Sequence, residues 1–212
     1  MSPPAIASYE DLLAAARDPA RPATLALAGV IAGAPARGDP PSACVRGLAA
    51  GELRALLDAF FPALAARADA AGAPPAAPSG EFTEFDDLVR LLDEHAAAPS
   101  PESRWVARAV ATACAGADHL WQVMGLPSRA VRGARMRESF PALSARNHAD
   151  MKWKKFLFLQ LCEREDVRAC TAPSCGVCSD RGSCFGPESG TPSWFARAAD
   201  RSAGGANARR EG

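Results

Sequence analysis

The chain has 212 residues, 48% of them hydrophobic, and its 24 Lys+Arg are balanced by 24 Asp+Glu. A net charge of zero removes the overall electrostatic hold on nucleic acid that a basic protein has, leaving only a local patch as a route to it. No apolar run approaches the ~18 residues of a membrane span, and the first residues lack the basic and apolar regions of a secretory leader. A soluble cytoplasmic protein with no membrane or nucleic-acid partner is therefore expected. Seven cysteines in such a chain point to metal or redox chemistry rather than to a disulfide framework.

Apolar residues recur near the helical period and strict alternation is rare, so the fold class is mainly α. Residues 9–16 read as a short helix with Ser8 as its N-cap, and 23–31 as a second. The Pro- and Gly-rich stretch 33–41 reads as a loop. Over 51–67, Leu53, Leu56, Leu57, Phe60, Phe61 and Leu64 form one helical face, which Pro62 kinks or splits. A Pro/Ala/Gly linker over 70–80 precedes a helix over 85–95 with Leu88, Leu91 and Leu92 inward. The spacing then predicts one long helix over 101–124. Ser100 is its N-cap, Pro101 its first position and Gly125 its left-handed stop. The last helix, over 150–165, is apolar nearly all round after its lysines. The expected organisation is a weakly defined segment over 1–42, a single helical domain over 43–188 that carries a cysteine loop over 170–184, and a flexible tail over 189–212.

That loop is the most informative feature. Cys170, Cys175, Cys178 and Cys184 are spaced C-x4-C-x2-C-x5-C. Thiolates are concentrated in this way to hold a soft metal or an iron–sulfur cluster. A structural zinc site usually pairs two CxxC knuckles a dozen or more residues apart, and only Cys175 to Cys178 fits that. The opening C-x4-C-x2-C matches plant-type ferredoxins, although their fourth cysteine lies far away. Spacing therefore favours a cluster over zinc without deciding between them. Pro173, Gly176, Gly182 and Gly186 allow the backbone to turn closely around a bulky centre.

The run Met151-Lys152-Trp153-Lys154-Lys155-Phe156, then Gln160-Leu161-Cys162-Glu163-Arg164-Glu165, then the four cysteines ending in Cys184-Phe185-Gly186-Pro187-Glu188 resembles the NifQ family of nitrogen-fixation proteins. His119-Leu120-Trp121-Gln122, Met124-Gly125-Leu126, Phe140-Pro141-Ala142-Leu143 and Phe61-Pro62 are similar to the same family, so the likeness spans about residues 45 to 188. The resemblance implies a 3Fe–4S or 4Fe–4S type cluster that takes up molybdenum, held by Cys170, Cys175, Cys178 and Cys184. It also implies donation of that metal to the nitrogenase iron–molybdenum cofactor. The implied partners are the cofactor scaffold complex, the nitrogenase iron protein and a source of molybdate or stored molybdenum. The chain would then be a metal donor rather than an enzyme. A ferredoxin-like electron carrier and a structural zinc module are the competing readings of the same cysteines.

Other residues have weaker claims. Cys162, near the end of the last helix, is either an accessory ligand or a buried small hydrophobe; Cys44 and Cys114 read as packing thiols. His119 is either a hydrogen-bonding helix-end residue or a contact to the cluster or to molybdenum. Lys152, Lys154 and Lys155 oppose the macrodipole at the start of their helix, so helix stability does not explain them. They form either a solvated face or an anion site that includes Lys154 and Lys155. No GxGxxG, P-loop, HExxH or GxSxG motif is present.

Overall fold

Ser8 starts the first helix as its residue type dictates. Its hydroxyl accepts from the Asp11 amide at 3.1 Å, and the Asp11 carboxylate accepts from the Ser8 amide at 3.2 Å. This reciprocal pair satisfies two amides that the helix itself leaves open. The computed structural model describes residues 8–68, 80–126, 128–166, 177–179 and 181–188. The linker over 70–80 except its last residue, Cys170, Cys175 and the tail over 189–212 lie outside them. Among the described residues there are twelve α-helices and no strand. None of the helices is long and apolar enough to cross a membrane.

Helix α1 (Tyr9–Ala14) packs on α2 (Pro22–Ala32). The second helix runs through the centre of the molecule, with Ala23, Ala26, Leu27, Ala28 and Val30 fully buried. Residues before 43, weakly defined in the sequence, thus supply part of the core. Gly29 is required here: a Cβ at that position would stand 2.1 Å from the Met124 carbonyl oxygen. The Tyr9 hydroxyl reaches the same turn and donates to the Gly125 carbonyl at 3.0 Å.

The stretch 33–41 contains a short helix, α3 (Ala34–Arg37), rather than only a loop. Gly38 closes it at φ 77°. The Arg37 guanidinium bonds the carbonyls of Val30 and Cys44 at 2.8 and 3.0 Å and pairs with Asp39 at 2.9 Å. Arg46 takes the other oxygen of the buried Asp39 carboxylate at 2.7 Å. These polar links hold the turn, and an apolar pattern cannot reveal them.

Pro62 splits the next helix, as expected. α4 (Ala50–Phe60) ends at Phe61, and α5 (Pro62–Ala68) begins on the proline, which has no amide to continue the ladder. α6 (Phe85–Glu94) buries Leu88, Leu91 and Leu92 against α7 (Pro101–Cys114). Each such leucine stabilises the fold by roughly 1.5–3 kcal/mol.

The long helix predicted over 101–124 is two helices. α7 stops at Cys114, and α8 (Leu120–Val123) starts after the turn 115–119. Gly116 lowers helix propensity at the break, and the amide of His119, which caps α8, donates to Gln122 Oε1 at 3.1 Å. The ammonium of Lys154 bonds the Gly116 carbonyl at 2.6 Å, satisfying an orphan acceptor at the end of α7. Leu120, Val123 and Met124 are thereby turned back into the core.

Two helices follow that the apolar pattern does not reveal, α9 (Arg129–Ser139) and α10 (Pro141–Arg146). The buried face of α9 carries Arg132 and Arg135 beside Met136, so its inward stripe reads as polar. Asn147 then fixes the entry to α11 (Trp153–Arg164): its amide group donates to the Met151 carbonyl and accepts from the Met151 amide, both at 2.9 Å. α11 buries Trp153, Phe156, Leu157 and Gln160 and packs against α6. The five-residue α12 (Arg181–Phe185) carries Cys184.

Candidate functional site

The described part of the cysteine loop does not sit where the chain order suggests. Although the loop follows the C-terminal end of α11, Cys184 lies at the N-terminal end of that helix. The Lys152 amide donates to the Cys184 carbonyl at 2.7 Å, and the Lys152 ammonium to the Gly182 carbonyl at 3.3 Å. α11 has twelve residues, about 18 Å of axial rise. Arg164 and Cys184 therefore lie at opposite ends of the helix. Residues 152 and 184, far apart in sequence, meet.

Of the four thiols expected to hold a cluster, Cys178 and Cys184 are described, both half-buried and neither in a disulfide. The Arg181 amide donates to the Cys178 carbonyl at 3.3 Å, which joins the start of α12 to the CxxC segment. Cys170 and Cys175 fall outside the described residues. No group of three or more His, Cys, Asp or Glu with metal-holding geometry occurs among the described residues. Cys162 is half-buried on the last turns of α11, ten residues or about 15 Å of helix from the Lys152–Cys184 contact. Cys44 and Cys114 are buried, and desolvation pushes their thiols up to about 11 and about 12. Both stay protonated, which disfavours either as a metal ligand.

A second anchor holds the far end of the loop. The Glu188 carboxylate is buried against Arg132 at 2.6 Å, with side chains 2% and 1% exposed. Arg129 Nε lies 3.7 Å from the same carboxylate, and another Arg129 nitrogen donates to the Asp150 carbonyl at 2.7 Å. His119 Nδ1 stands 3.7 Å from the other Glu188 oxygen. Desolvation pulls the Arg132 guanidinium down from its usual range, and the charge of Glu188 opposes that pull. His119 thus belongs to the neighbourhood of the loop, as the sequence allowed. Glu188 closes the family-like run, whereas Arg129 and Arg132 were not singled out. Their only signal was a cluster of arginines in a segment with no visible apolar face.

Between these anchors lies a cavity of about 280 Å³, lined by His119, Lys152, Lys154, Lys155, Ser183 and Glu188 among others. Lys154 is half-buried and Lys155 exposed. Burial pulls the Lys154 ammonium below its ordinary range; the charge of neighbouring Asp118 opposes that shift. The turn 115–119, whose existence divides α7 from α8, forms one wall of this cavity.

Comparison with known proteins agrees with the arrangement of motifs. The family model described as NifQ matches residues 10–186. The chain belongs to the NifQ family. The NifQ protein of Rhodobacter capsulatus is 35% identical over 142 residues, covering 67% of this chain and 76% of that protein. That of Azotobacter vinelandii is 42% identical over 105 residues, 50% of this chain and 54% of the relative. A NifQ homolog of Sinorhizobium fredii is 40% identical over 103 residues, 49% and 45% of the two chains. The chain thus spans about half the length of the latter two relatives. No solved structure matches. Family membership places the protein in nitrogen fixation.

Proposed function

We propose that the protein is a carrier that holds an iron–sulfur cluster on its cysteine loop and donates molybdenum for biosynthesis of the nitrogenase iron–molybdenum cofactor. On this reading it is an accessory donor in the cytoplasm rather than an enzyme with turnover. The cofactor scaffold complex and the nitrogenase iron protein are its recipients, and molybdate is its supply.

The observation that carries the reading is the contact between Lys152 and Cys184. It fixes one cysteine of the run on the rigid start of α11 and sets three lysines beside it. The donor set suits the cluster: thiolates are soft ligands, and Cys178 and Cys184 are half-buried, within reach of both protein and solvent. When bound, the cluster supplies the iron and sulfide frame to which molybdenum attaches. The chain's own residues do the rest. Cys170, Cys175, Cys178 and Cys184 bind the frame. The amide of Lys152 orients the segment that bears Cys184. Glu188, through Arg132, fixes the chain just beyond it. Placing the ligands on a surface segment suits a protein that must release its cargo.

Anaerobic reconstitution with iron, sulfide and molybdate tests the proposal. The expected product is a coloured protein containing all three, with metal content lost when the four cysteines are changed to serine. A colourless protein that holds zinc alone sinks the reading, and iron and sulfide without molybdenum turns it into an electron carrier.

A further inference from the structure

We propose that the cavity between the start of α11 and the turn 115–119 is a docking site for a tetrahedral oxyanion, and that the anion it takes is molybdate. The site is argued from the geometry below; only the identity of its anion rests on the carrier reading, since molybdenum(VI) in neutral water is an oxyanion. The docking is non-covalent and precedes any change in the metal.

Three lysines from the start of one helix line the cavity. Lys152 and Lys154 are held from opposite walls, by the carbonyls of Gly182 at 3.3 Å and Gly116 at 2.6 Å. Each ammonium has three N–H donors, so both retain donors after those bonds are made. Lys155 is exposed and has no ion-pair partner among the described residues. Ser183 adds a hydroxyl to the same cavity, one residue before Cys184. Opposing charge is limited. Glu188 is neutralised by its 2.6 Å pair with Arg132, which leaves exposed Asp118 as the other acid in the lining. A solvated lysine face would splay its ammonium groups into water, but here Lys154 is folded inward and pays a desolvation cost for it.

The helix adds to the site. α11 is twelve residues long, and its cap residue is Lys152, whose side chain has no acceptor for the first-turn amides. Those amides and the positive end of the dipole favour a bound anion. The volume of about 280 Å³ exceeds the ~30 Å³ of one water several-fold, room for an oxyanion with part of its hydration shell. An anion seated there would be delivered beside Cys184, where the cargo is needed.

The test uses sodium molybdate and the full chain, purified anaerobically without cluster, in equilibrium dialysis with molybdenum read by mass spectrometry. One molybdate per chain is expected, displaced by tungstate. The protein with all four loop cysteines changed to serine should bind it equally. Lys155→Glu should weaken binding about tenfold or more, the effect of losing one charge-assisted hydrogen bond, and Lys155→Arg should restore it. Lys155 is exposed, so circular dichroism of the glutamate variant should match the parent. Binding unchanged in a Lys152→Glu/Lys155→Glu variant, or abolished in the four-serine protein, overturns the proposal. Iron and sulfide content after reconstitution is read separately and tests the carrier reading, so the two ideas fail by different measurements.

Discussion

The amide of Lys152 donates to the carbonyl of Cys184 at 2.7 Å, and this bond brings the far end of the cysteine run onto the near end of the lysine run. Chain order alone would place the loop at the other end of α11. Substituting Lys152 by proline removes the donor while φ −53° at this position already suits a proline ring. Amide hydrogen exchange over 181–186 should rise in that variant while α6 and α7 stay protected. Unchanged exchange would mean that the bond does not hold the loop.

Glu188 and Arg132 form a buried pair whose members are 2% and 1% exposed. Removing one partner of such a pair costs about 3–5 kcal/mol at full burial, because the other is left charged without water. Glu188→Ala should lower the melting temperature by several degrees, at roughly 2–4 °C per kcal/mol for a domain of this size. The double change Glu188→Ala with Arg132→Met should recover much of the loss. Differential scanning calorimetry reads both.

Gly29 admits no side chain where α2 passes the Met124 carbonyl. The obstructing atom is backbone and cannot rotate away. Gly29→Ala should destabilise the fold by about 1–3 kcal/mol, the usual range for overpacking, despite the better helix propensity of alanine. Urea unfolding should show a lower midpoint at an unchanged slope.

Tyr9 is the one tyrosine in the chain, so phenolate absorbance reports it alone. Burial pushes its pKa from 10.0 to about 12, with the charge of Glu10 adding to the shift. The folded state therefore holds the proton more tightly than the unfolded chain. The stabilisation is fully present below pH 10 and is lost as pH rises through about 12. A spectrophotometric titration should give a midpoint near 12 in buffer and near 10 in urea. Cys44 and Cys114 titrate in the same alkaline region, so stability must be compared with Tyr9→Phe, whose decline over that window should be shallower.

Thiol reactivity should divide along burial. Brief treatment of the native protein with iodoacetamide should modify Cys162, Cys178 and Cys184 and spare Cys44 and Cys114, whose thiols are buried and held protonated. Peptide mass mapping gives the ratio at each position.

Helices with an apolar face were legible. Leu88, Leu91 and Leu92 announce α6, Ser8 and Ser100 mark their helix starts, and Pro62 divides α4 from α5. Where polar bonds set the structure, the pattern was silent. α9 turns arginines inward, and α3 is held by Arg37 and Asp39. The break between α7 and α8 was missed because Leu120, Trp121 and Met124 stay buried on either reading. That break matters most for the site, since it builds the cavity wall opposite the lysines. Local spacing identified the lysines and the cysteines separately. Their meeting depends on a chain reversal that local spacing does not encode.

The family match stops at residue 186, two positions before Glu188. A shortened protein cut at that boundary would keep every cysteine and yet leave the buried guanidinium of Arg132 without its carboxylate. Such a fragment would express the ligands without the ballast that keeps them in place. Designs for crystallisation or fusion should carry the chain through Glu188, and any reporter joined there needs a spacer, because the Glu188 carboxylate is buried against Arg132.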